Sequence, residues 1–127
     1  MLLHTHLDAD GAKNVTVRVR GQFVRHESVL FFDRGKLRKD MPFRDLLLSS
    51  ALWTVNEKLG LFIWSDETRR NAEDLVLLME SRNAVQFERE IGFPAEWDGK
   101  LWLEPFNLQA ATNGWFMFFL ELDKVGK

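Results

Sequence analysis

The sequence predicts an α+β domain in which an antiparallel sheet of about five or six strands is packed by one long amphipathic helix over residues 65–91. Three observations point there. Val15, Val17 and Val19 alternate with Thr16, Arg18 and Arg20, the period of a strand with one buried and one wet face. Ala72, Leu75, Val76 and Met79 recur at helical spacing, after Ser65 and Asp66, which can cap a helix, and before Gly92 and Pro94, which stop one. The 127 residues are 46% hydrophobic with eleven Phe and five Trp, ample apolar volume for one core and a single domain over residues 1–127.

The first main strand is expected at residues 15–19. Gly21 punctuates it, and residues 23–32, ending in Val29-Leu30-Phe31-Phe32, form a second β-rich stretch. Asp33-Arg34-Gly35-Lys36 has the chemistry of a turn. Pro42 breaks the next segment, and Leu46-Leu47-Leu48 is too short for periodicity to separate strand from helix. Leu52-Trp53-Thr54-Val55 and residues 59–64 read as two strands joined as a hairpin around Asn56-Glu57-Lys58. In the long helix, Asp66 and Glu67 place negative charge where the helix dipole is positive. Leu78, Val85, Phe87 and Ile91 widen its apolar face, and Ser81-Arg82-Asn83 interrupts the stripe as a kink. Leu101-Trp102-Leu103 is a strand that Pro105 confines to an edge or an end. Residues 115–125 are open to either period, with a short C-terminal helix favoured.

Composition excludes several chemistries. Without cysteine there is no thiolate nucleophile, no Cys-based zinc site and no disulfide framework, which points to the cytoplasm. The start, MLLHTHLDAD, lacks the basic and long apolar regions of a secretory signal. The nearly uncharged run at residues 101–120 is broken by Pro105, Asn107, Gln109, Asn113 and Gly114, so no membrane span is expected. There is no phosphate loop, dinucleotide fingerprint or G-x-S-x-G elbow, and Ser49 and Ser50 have no evident triad. The expectation is a non-enzyme without a cofactor.

Four constellations remain. His4, His6 and Asp8 alternate as on one side of a strand and could converge on a divalent ion, or simply face water. Asp98-Gly99-Lys100 after Glu96 has the acid-x-Lys form of metal-dependent nucleases, although Gly99 also makes it a turn. Net charge is −2, yet residues 13–39 hold Lys13, Arg18, Arg20, Arg25, Arg34, Lys36, Arg38 and Lys39 against Glu27 and Asp33. The Arg residues with Lys36 and Lys39 are candidates for gripping phosphates if they share a face, and otherwise form a solvated face. Finally, Trp102, Phe106, Trp115 and Phe118, from an aromatic-rich last third, are candidates for an exposed protein interface, with the core as the alternative.

Phe87-Glu88-Arg89-Glu90-Ile91-Gly92-Phe93-Pro94-Ala95-Glu96-Trp97 resembles the I-E-x-x-x-G-x-P-L-E-W string that members of domain-of-unknown-function family 4268 carry at the end of a long helix. The resemblance spans residues 58–108. It implies an accessory domain of bacteria or archaea, often beside predicted nuclease or DNA-modification modules, and carries over no catalytic residue. The first expectation is therefore a non-catalytic interaction domain binding a protein partner or a second copy, in a bacterial or phage defence setting. A nucleic-acid module using the basic strands is the second, and a small metal-dependent hydrolase the third.

Overall fold

A computed structural model describes residues 2–23, 27–64, 74–105 and 114–126. They form nine strands: β1 (Leu2–Asp10), β2 (Asn14–Phe23), β3 (Val29–Asp33), β4 (Asp45–Val55), β5 (Leu59–Phe62), β6 (Leu75–Met79), β7 (Arg82–Ile91), β8 (Lys100–Pro105) and β9 (Gly114–Val125), with one 3-10 turn at Arg34–Lys36. All pairings are antiparallel. The first sheet runs β1-β2-β9-β4-β7 and the second β3-β8-β5-β6.

The two orders match strand for strand once the edge strand β1 is set aside. β3 follows β2, β8 precedes β9, β5 follows β4 and β6 precedes β7, so each stretch of chain crosses from one sheet to the other. The latest stretch, β8 and β9, lies between the earlier ones in both sheets. Crossing needs a sharp corner. Ser81 provides one between β6 and β7 by adopting φ 58°, and its carbonyl accepts the Val55 N–H at 2.7 Å while the Glu80 carbonyl accepts the Trp53 indole N–H at 3.0 Å.

Alternation decides which side chains meet between the sheets. β2 contributes Val15, Val17 and Val19, β9 contributes Phe116, Phe118, Leu120 and Leu122, and β4 contributes Leu46, Leu48, Trp53 and Val55. The second sheet answers with Leu59, Leu61, Met79, Leu101 and Leu103. A bulge between Leu30 and Phe32 lets β3 send two consecutive rings, Phe31 and Phe32, into this core. Phe31 meets Phe118 edge-on across the sheets, ring centroids 5.2 Å apart.

This architecture corrects the α+β expectation. The fold is nearly all antiparallel sheet, and no α-helix occurs among the described residues. Of the expected helix, residues 65–73 lie outside the described ones, while Leu75–Met79 and Arg82–Ile91 are strands of different sheets. The expected kink at Ser81 is the corner between them. Residues 115–125 are strand β9 rather than a helix, because Phe116, Phe118, Leu120 and Leu122 keep strict period two. The expected hairpin around residues 56–58 is also corrected: both strands exist, but β4 pairs with β9 and β7, and β5 with β6 and β8. No helix among the described residues is long and apolar enough to cross a membrane.

Candidate functional site

The inward side chains of β9 fix its outward ones: Trp115, Met117, Phe119, Glu121 and Asp123 stand on the outer face of the first sheet. Register supplies their neighbours. On one side Met117 and Phe119 sit opposite Arg20 and Arg18 of β2, which in turn sit opposite His4 and His6 of β1. On the other side they sit opposite Thr54 and Leu52 of β4, and beyond these lie Arg82 and Ala84 of β7. Trp115 is held at the top of β9 by a double contact with Asn56, whose Oδ1 accepts the Trp115 N–H at 2.7 Å and whose N–H donates to the Trp115 carbonyl at 3.3 Å.

Three large apolar side chains on this face are about half in water: Leu52 at 53%, Met117 at 51% and Trp115 at 48%. They occupy β4 and β9, interior strands rather than edges, where an outward hydrophobe gains nothing from the core. Charge is unevenly spread around them. His4, His6, Arg18 and Arg20 line a depression of about 170 Å³ that reaches Met117. Ser49, Gln86, Glu88, Glu90, Glu121 and Asp123 line another of about 330 Å³ toward the far end of the strands. There a hydrogen bond with Asp123, helped by partial desolvation and by the negative charge of Asp123, holds the Glu90 carboxyl above its ordinary range.

The basic candidates divide. Arg18 and Arg20 share the outer face, Arg18 meeting Asp8 at 3.2 Å. Arg34 and Lys36 belong to the 3-10 turn after β3, and Arg38 and Lys39 to the loop beyond it. Arg34 donates to the carbonyls of Phe43 and Arg44 at 3.2 and 2.8 Å, with its guanidinium carbon 4.4 Å from the centre of the Phe43 ring. Arg38 forms a fork with Asp40 at 3.0 and 2.6 Å, which holds the Asp40 carboxyl below its ordinary range. These two guanidinium groups are spent on the loop's own conformation. Arg25 lies outside the described residues.

Of the interface candidates, Trp115 is exposed, Trp102 is half-buried on the second sheet, and Phe118 is a core residue; Phe106 lies outside the described residues. His4 and His6 do share one face, but Asp8 falls at a bulge between Leu7 and Ala9 and turns to Arg18. Among the described residues no three His, Asp or Glu side chains are placed to hold a metal ion. Asp98-Gly99-Lys100 is the turn into β8: Asp98 Oδ1 accepts the Lys100 N–H at 3.0 Å, and Gly99 takes φ 87° where a Cβ would lie 2.9 Å from the Cβ of Arg34.

Leu52, Met117, Glu121 and Asp123 were not among the sequence candidates. For the last three the signal was the alternation in residues 115–125, legible only once that segment is taken as a strand, while Leu52 is an outward position of β4. The segment that resembles family 4268 lies on the end of β7 and the turn after it, where the Phe93 and Trp97 rings stack 4.2 Å apart. Comparison with protein-family models, with curated proteins and with solved structures finds no match for the chain.

Proposed function

We propose that the domain is a non-catalytic interaction module that docks a protein on the outer face of the first sheet. The observation that carries this is the exposure of Leu52, Met117 and Trp115 together on interior strands. Contiguous apolar surface on a folded domain marks an interaction site, and Trp and Met are enriched in interface centres. The basic and acidic side chains at its margins supply the polar rim that fixes orientation. An accessory role, as the resemblance at residues 87–97 implies, agrees with a module that binds rather than catalyses.

The test is a photo-crosslinking amino acid placed at position 117, with position 39 as an exposed control off the sheet. Protein adducts formed in the native cell at 117 and not at 39 are the expected result. An absence of protein adducts at 117 overturns the reading.

One observation favours a second reading. The depression between His4, His6, Arg18 and Arg20 beside Met117 has the character of a phosphate subsite next to a stacking surface. On that reading a single-stranded oligonucleotide binds with affinity that falls steeply with salt, and Arg18→Ala with Arg20→Ala lowers the salt slope by about two. Salt-insensitive or absent binding removes it.

A further inference from the structure

We propose that the protein docked on this face is a second copy of the chain, packed face to face about a two-fold axis. The inference rests on the interaction reading above and goes beyond it by naming the partner. A closed contact between identical chains uses the same patch twice, so the patch must be complementary to itself. Few surfaces meet that condition, and this one does. Its basic corner, His4, His6, Arg18 and Arg20 on β1 and β2, lies diagonally opposite its acidic corner, Glu90, Glu121 and Asp123 on β7 and β9. The strip between them, Leu52, Met117 and Phe119, is apolar.

An axis lying in the plane of the face, perpendicular to the line between the two corners and crossing it at the apolar strip, lays each basic corner on the other copy's acidic corner and returns the strip to itself. The strands of the two copies then cross steeply, which is one of the two established ways for sheets to stack.

Each corner is also poorly compensated within its own chain. Arg18 and Arg20 stand directly opposite His6 and His4, neither of which offers them an anionic partner. Among the described residues the Arg20 side chain has no hydrogen bond or ion pair, and the Arg18 side chain has only the exposed Asp8, a pairing that contributes little. At the other corner Glu88, Glu90, Glu121 and Asp123 line one depression, and Glu90 and Asp123 crowd one another closely enough to share a hydrogen bond. Arginines from a second copy supply a counter-charge there.

Sedimentation equilibrium of the full chain is the test. Wild type is expected to be dimeric in the micromolar range, and to dissociate as salt rises. Arg18→Glu with Arg20→Glu, and separately Glu121→Lys with Asp123→Lys, each place like charges across both contacts and raise the dissociation constant at least roughly a hundredfold. Mixed in equal amounts, the two variants restore a dimer, because each contact in the mixed pair again joins opposite charges. A wild type that stays monomeric at every concentration, or a mixture of two folded variants that fails to dimerise, overturns the inference. If either variant loses its near-ultraviolet circular dichroism, Leu52→Glu in an otherwise unchanged face decides instead, and a dimer that persists in it is equally fatal. Crosslinks from position 117 to a different protein, with a monomeric chain, overturn the second copy and leave the interaction reading standing.

Discussion

The Lys124 ammonium, with no side-chain surface in water, donates to the Asp10 carboxylate at 2.5 Å and to the Gly11 carbonyl at 2.6 Å. Lys124 occupies the last inward position of β9, and Asp10 reaches it because the bulge in β1 turns Asp10 inward opposite Val15. Asp10 also accepts the Arg38 N–H at 2.7 Å, so one carboxylate ties the β1–β2 turn, the loop after β3 and the end of β9 together. Removing one partner of a buried pair leaves the other charge uncompensated. Lys124→Met is therefore expected to lower unfolding free energy by about 3–5 kcal/mol in urea denaturation.

The same contact sets an acid limb. Burial raises the Asp10 carboxyl, but hydrogen bonds from Lys124 and the Arg38 backbone, with the charges of both residues, outweigh it and hold it below the ordinary 3.8. A carboxylate lowered in the folded state contributes stability that is present above the unfolded value and is lost as pH falls through the folded one. The thermal midpoint should thus drop below about pH 4, and Asp10→Asn should flatten that part of the profile. An unchanged slope would exclude Asp10 as its source.

Glu90 acts with the opposite sign. Its carboxyl is raised by Asp123, so its stabilising share is full below the unfolded value and disappears as pH rises through the folded one. Glu90→Gln should make stability at neutral pH higher than wild type and reduce its decline between acid and neutral pH. Thermal melts across that window check both.

The two faces of β9 predict opposite mutational costs. Phe118 is 1% exposed and meets Phe31 across the core, so Phe118→Ala should cost about 3–5 kcal/mol. Trp115 leaves only a partly wet surface, and Trp115→Ala should shift the stability of the monomer by roughly 0.5–1 kcal/mol. Comparable costs at both positions would refute the assignment of faces.

Ser81 turns the chain between sheets with a left-handed backbone that side chains resist. Ser81→Gly should be neutral or stabilising, while Ser81→Val should cost about 1–3 kcal/mol. Chemical denaturation of the two variants side by side distinguishes this corner from an ordinary loop.

How much of this was legible in the sequence follows from how each segment expresses its period. Val15, Val17 and Val19 alternate cleanly with polar residues, and β2 is where it was expected. Residues 75–91 misled because Leu75, Val76 and Met79 are a short apolar run that fits helical spacing by coincidence. Within it Val85, Phe87 and Ile91 already fall on alternate positions, and Ser81-Arg82 marks the break between two strands. In β9 the apolar Trp115, Met117 and Phe119 fill the outward positions too, which masks the alternation of Phe116, Phe118 and Leu120. The outward hydrophobes that hid the strand are the same ones that define the candidate face. Local sequence likewise offered no hint that Arg34 would be engaged, since its acceptors, the Phe43 and Arg44 carbonyls, come from chain folded against it, whereas the Asp40 that holds Arg38 stands only two residues on.

The placement of β8 and β9 between earlier strands has a consequence for biosynthesis. A ribosome delivers β1 to β7 before either sheet has its middle, and β2 and β4 must wait with unpaired backbone edges for a strand not yet made. At about 5–20 residues per second this interval lasts seconds, long enough for a nascent chain to aggregate or recruit a chaperone. A premature stop before residue 114 removes not a tail but the keystone, and the expected product is degraded rather than merely shortened.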